Sequence, residues 1–98
     1  MVRVRLRLLG GVKRVFGREA MDVEVDGELI RLRDLLTYLA SMSSDAHGIM
    51  NPSNLIIVIN GREASLLGGL DAVISDGDQV SILTVVHGGC LRYDGEVE

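Results

Sequence analysis

The run V-S-I-L-T-V-V-H-G-G, residues 80–89, decides how the rest of the chain is read. Val80, Ile82, Thr84 and Val86 fall on one side of an extended chain and Ser81, Leu83 and Val85 on the other. With β-branched residues throughout, this predicts a strand over residues 80–86. The strand pattern stops at His87. Gly88 and Gly89 carry no Cβ, so the backbone there can enter a slot too narrow for any side chain. A recognised or reactive main-chain group is therefore expected at this pair. Gly10-Gly11 and Gly68-Gly69 repeat the dipeptide; Gly88-Gly89 differs in following the final strand. Residues 90–98, C-L-R-Y-D-G-E-V-E, carry one basic and three acidic groups, show no sustained periodicity and read as a disordered tail.

Composition bounds what the strand can belong to. Ninety-eight residues make one domain with one modest core, too small for an enclosed multi-part active site. Apolar residues are 47% of the chain and aromatic ones 3%, so the core is aliphatic. A net charge of −4 argues against nucleic-acid binding through the overall field, and without residues 90–98 the charge is still −2. The single cysteine excludes an internal disulfide and a cysteine-built metal site, and suits a reducing compartment. Neither a signal-peptide pattern nor an apolar run of spanning length is present, so a cytoplasmic protein without membrane contact is expected.

From the amino terminus, Val2, Val4, Leu6 and Leu8 alternate with Arg3, Arg5 and Arg7, which predicts a half-buried strand. Residues 10–17 read as a loop anchored by Val12, Val15 and Phe16. Met21, Val23 and Val25 then alternate with Asp22, Glu24 and Asp26. In an antiparallel hairpin these three acids face the three arginines across the open side of the sheet. Leu32, Leu35, Leu36 and Leu39 follow the i, i+3, i+4, i+7 spacing of an amphipathic helix reaching about Met42. A good capping side chain is missing at its start, although Asp34 puts negative charge in the first turn. Residues 43–54 are loop-forming. Residues 55–59, apolar on both sides, read as an interior strand, and Asn60-Gly61 signals a tight hairpin turn into Arg62-Glu63-Ala64. Leu66, Leu67 and Leu70 are expected to pack a turn or short 3₁₀ segment, and Asp76-Gly77-Asp78 turns into the last strand. A hairpin, a crossing helix and a last strand beside the first describe an α+β β-grasp, a mixed sheet of four to five strands with one main helix on one face. The domain is expected over residues 1–87, with a flexible tail over 88–98.

Three pieces in this order resemble the ubiquitin-like sulfur carriers and modifiers. They are V-I-N-G-R-E-A at residues 58–64, L-D-A-V-I-S-D-G-D-Q-V at 70–80 and H-G-G at 87–89, joined by L-R-D-L-L at 32–36. That group includes the small subunit of molybdopterin synthase, the thiamine sulfur carrier, the ubiquitin-related modifier and the small archaeal modifier proteins. The resemblance implies that the Gly89 carboxylate, beside Gly88, is the reactive group. An activating enzyme of the ubiquitin-activating type adenylates it with ATP, and attack by a thiol, persulfide or amine yields a thiocarboxylate or an amide to a target protein. On this reading the chain is a carrier or modifier, not an enzyme, and binds no cofactor itself.

Here Gly89 is joined to Cys90, so a free carboxylate requires cleavage of that bond. The resemblance implies a precursor trimmed by a processing protease, the JAMM metalloproteases being the candidate class. Val58, Leu83, Val85 and His87 are expected to meet the partner enzyme. His87 and His47 have no companions at metal-ligand spacing, and no metal is assigned. The alternatives are a sulfur carrier of the molybdopterin synthase type, serving molybdenum cofactor biosynthesis through a sulfur-accepting synthase, and a non-conjugated β-grasp binding module. An iron–sulfur β-grasp is excluded because its cluster needs several cysteines.

Overall fold

The structure is a computed structural model that describes residues 1–42 and 52–84. Its main sheet has five strands in the order β2-β1-β7-β4-β5: β1 (Val2–Leu9), β2 (Ala20–Val25), β4 (Leu55–Ile59), β5 (Arg62–Glu63) and β7 (Gln79–Thr84). The first strand and the last lie side by side in parallel, Leu6 opposite Val80 and Leu8 opposite Ile82, while every other pairing in the sheet is antiparallel. β1 and β7 are central because their apolar rows are the most complete. Val2, Val4, Leu6, Leu8, Val80 and Ile82 are all fully buried. A separate ribbon, β3 (Leu29–Arg31) antiparallel to β6 (Val73–Ser75), buries Ile30 and Ile74 against the same core.

Helix α2 (Leu32–Ala40) buries Leu32, Leu35, Leu36 and Leu39 and ends two residues before the expected Met42, in a turn at Ser41 and Met42. The Asp34 carboxylate accepts the Arg31 N–H at 3.1 Å. The Leu32 N–H donates to the Ala72 carbonyl at 2.9 Å, so two of the helix's unpaired first-turn donors are satisfied. The α+β β-grasp expected from the sequence is the fold observed.

Four expectations change. Residues 10–17 are not a plain loop: α1 (Gly11–Phe16) forms there, and the two glycines read as interruptions are its ends. Gly10 opens it at φ 67°, and Gly17 closes it in the left-handed conformation with its N–H on the Lys13 carbonyl at 2.9 Å. The Val12 N–H donates to the Thr84 hydroxyl at 3.0 Å, which ties this helix to the end of β7. The charge ladder has two rungs rather than three. Arg3 faces Glu24 and Arg5 faces Asp22, with guanidinium-to-carboxylate contacts at 2.7 and 3.4 Å, but the register puts Ala20 opposite Arg7. The 3₁₀ turns Ala64–Leu67 and Gly69–Asp71 are present, yet the leucines do not pack them. Leu66 is 80% exposed and Leu67 and Leu70 are partly exposed, while Ala64 and Ala72 are the buried anchors. The β3–β6 ribbon carried no sequence signal, because three-residue strands are too short to show a period.

Candidate functional site: the open face and the end of β7

Two turns fix where β7 starts. Asn60 and Gly61 take positive φ, 51° and 85°, as a type I′ turn requires. The Asn60 backbone and side chain then clamp Gln79: Asn60 N–H on the Gln79 carbonyl at 2.8 Å and Gln79 N–H on Asn60 Oδ1 at 2.9 Å. In the second turn Asp76 Oδ1 accepts the Arg3 N–H, and Asp78 Oδ2 accepts the Ser75 N–H, each at 2.8 Å. The motif residues Asn60, Gly61, Asp76 and Asp78 are thus register pins for the central strands. They make β7 enter the sheet at one position only, and so decide which of its side chains face outward.

On the face opposite α2, Leu83 of β7 stands directly across from Ile56 of β4, and Leu9 of β1 flanks Leu83 on the other side. Ile56 and Leu83 are 41% and 37% exposed, and Leu9 is half-buried. One step down the strands Arg7, Ser81, Val58 and Glu63 follow in a row across β1, β7, β4 and β5. A Cβ on Gly10 would stand 3.5 Å from Leu83 Cδ1, so the open corner beside this patch is shaped by glycine. Thr84, one residue beyond Leu83, is the last residue of β7.

The structure places the expected Val58 and Leu83 on this face, although Val58 sits across from Ser81 and is only half exposed. Ile56, which the sequence reading passed over, is the residue facing Leu83. Its signal was available: Ile56 has the same strand parity as Val58. Val85, His87, Gly88, Gly89 and Cys90 lie outside the described residues, as does His47.

Charge on the face is concentrated away from the patch. Glu24 holds the Arg3 guanidinium by hydrogen bond and field and pushes its pKa up. At the end of the hairpin the Glu19 carboxyl is held below its ordinary range by a hydrogen bond from Lys13 at 3.1 Å. The described residues contain no histidine or cysteine and no group of acids arranged to hold a metal. What they offer on the open face is an apolar patch at the end of β7.

A mixed five-stranded sheet with its first and last strands parallel and adjacent, packed by one main helix, defines the ubiquitin-like β-grasp. The chain belongs to the ThiS family, matched over residues 6–89, and the match ends on the second glycine. It is 28% identical to ubiquitin-related modifier 1 of Saccharomyces cerevisiae, over 91% of this chain and all of the yeast protein. It is 30% identical to a putative sulfur carrier protein of Archaeoglobus fulgidus, over 69% of this chain and 84% of that one. Among solved structures, the Haloferax volcanii HVO 2177 protein superposes with a TM-score of 0.77 at 26% identity, covering 90% of this chain and 87% of that chain. Its relatives therefore include both protein modifiers and sulfur carriers.

Proposed function

We propose that this chain is a ubiquitin-like carrier whose working group is the carboxylate of Gly89, freed by cleavage of the Gly89–Cys90 bond. The observation that carries this reading is where the family match ends. The match to the ThiS family runs over residues 6–89 and so stops at the second glycine of the pair. A carboxylate is a poor acyl donor, and adenylation with ATP by a ubiquitin-activating type of enzyme supplies AMP as a leaving group. A persulfide sulfur displaces AMP to give an acyl disulfide, which a second thiol cleaves to the thiocarboxylate while forming a disulfide; an amine instead displaces AMP to give an amide to a target protein. The carrier contributes position: the patch of Leu83, Ile56 and Val58 docks the activating enzyme while the narrow Gly88-Gly89 segment enters its active site. Val85 and His87 are proposed to contact the enzyme as well.

Intact mass of the protein recovered from its own cells tests this. A species ending at Gly89 is expected, and exchange of one terminal oxygen for sulfur identifies the sulfur-transfer role. A chain that keeps residues 90–98 under all growth conditions would sink the carboxylate chemistry.

A further inference from the structure

We propose that the outer edge of β2 is a docking site for an extended, basic segment of another protein, which adds to the sheet as a further strand. The backbone sets up the site. The Leu8 N–H donates to the Glu19 carbonyl at 2.8 Å, whereas the Arg5 N–H donates to the Asp78 carbonyl and the Arg3 carbonyl accepts from Gly77. The even residues of β1 therefore bond toward β2 and the odd ones toward β7. With Leu6 opposite Met21 and Val4 opposite Val23, the backbone groups of Met21 and Val23 are turned to β1, and those of Ala20, Asp22 and Glu24 are turned outward. β2 is the last strand on its side of the sheet, and none of these outward groups has a partner among the described residues. The strand at the other edge, β5, is two residues long and offers no comparable row.

The side chains around this edge select what fits it. A groove of about 590 Å³ is lined from the core side by Met21 and Val23, from the open side by Asp22 and Glu24, and from α2 and its end by Tyr38 and Met42, so it wraps the edge of the strand. Tyr38 and Met42 are 39% and 47% exposed. A strand added here places every second side chain toward Met21, Tyr38 and Met42, where apolar groups gain contact, and the alternate ones beside Asp22 and Glu24. Both Arg3 bonds go to Glu24 Oε2 and the Arg5 bond goes to Asp22 Oδ1, so Glu24 Oε1 and Asp22 Oδ2 have no partner among the described residues. A second copy of this chain would bring its own Asp22 and Glu24 against these acids, so the edge repels self-pairing and favours basic residues at alternate positions. The outward backbone groups supply the docking bonds; the acids select the sequence.

This site is independent of the carboxylate chemistry. β1 separates it from β7, so the edge and the Leu83 patch can be occupied together. A peptide with the sequence of residues 2–8, V-R-V-R-L-R-L, has the required alternation and serves as the probe against the full chain. On adding it, amide exchange is expected to slow at Asp22 and Glu24 and to stay unchanged at Met21 and Val23, which are already bonded to β1. A peptide that displaced β1 would leave Asp22 and Glu24 exchanging as fast as before, so the pattern identifies addition from outside. Replacing the three arginines of the peptide by glutamate is expected to weaken binding by about tenfold or more, since opposite charges across strands attract and like charges repel. Methylating the backbone nitrogen of the central arginine is expected to abolish binding, while methylating that of the next residue, which faces away from β2, leaves it intact. Equal affinity of the arginine and glutamate peptides overturns the proposal, as does binding without slowed exchange at Asp22 and Glu24, or no binding at all.

Discussion

The open face of the sheet divides into two halves that handle their side chains in opposite ways. Over β1 and β2, Arg3 and Arg5 face Glu24 and Asp22, and the charges are settled within the chain. Over the ends of β1, β7 and β4, Arg7 faces an alanine, and Leu9, Leu83 and Ile56 stand without a covering layer among the described residues. One half is satisfied within the fold and the other is left open among the described residues. The difference is the reason the docking surface is proposed at the apolar end, because a row of exposed side chains that satisfies itself has no need of a partner.

The comparison first requires that neither half of the open face holds the fold together. Stability lies on the other side of the same strands, where Leu6, Leu8, Val80 and Ile82 are fully buried. Ile82→Ala is expected to cost about 2–5 kcal/mol, the range for truncating a buried aliphatic side chain. Leu83→Ala, one residue on, removes a side chain still 37% exposed and is expected to cost about 1 kcal/mol, in keeping with its partial burial. Denaturant unfolding of both variants measures this. If the protein is cut at Gly89 as proposed, the order reverses in an adenylation assay with its activating enzyme, Leu83→Ala losing more than its stability change explains. Equal stability losses at the two positions would erase the contrast between the faces.

How much of this was legible in the sequence follows from the length of each pattern. β1, β2, β7 and α2 are long enough to show a period and were read to within a few residues, as was the hairpin turn at Asn60-Gly61. The parallel placement of β1 beside β7 followed from their being the two best apolar rows. The misses are short elements or registers. α1 has six residues between two glycines that serve equally well as loop signals, and only tertiary contacts to β1 and to Thr84 decide for the helix. The third ladder rung failed because hairpin register depends on the connection, which alternation does not encode: Arg7 meets Ala20 and makes no ion pair among the described residues. Ile56 shares the parity of Val58 and could have been read as outward with it; what a run apolar on both sides hides is which of the two stands opposite Leu83, and that depends on the register with β7.

The settled half makes a smaller prediction. A double-mutant cycle on Arg3→Ala and Glu24→Ala is expected to give a coupling of about 0.2–1 kcal/mol, the range for exposed pairs, and to shrink when salt is added. The shorter Arg3–Glu24 contact should couple more strongly than Arg5 with Asp22, given 2.7 Å against 3.4 Å. A coupling near zero for both would mean that the ladder sets register and repels wrong partners without stabilising the hairpin.

The smallest effect lies at the boundary between the halves, at Glu19. Lys13 reaches back from α1 to hold this carboxylate at 3.1 Å, and Arg7 adds a weaker favourable field. Because the folded-state pKa is lowered, the contribution of the pair is present above the unfolded carboxyl's pKa and disappears as pH falls through the lowered value. An NMR titration of the Glu19 side chain is expected to show a midpoint below the ordinary glutamate range. Lys13→Ala should raise that midpoint, since the lysine is its main cause, and Arg7→Ala should raise it less. A larger shift from Arg7→Ala than from Lys13→Ala would assign Glu19 to Arg7 as its true partner. The arginine would then belong to the settled half, and the unfinished region of the sheet would shrink to its apolar side chains.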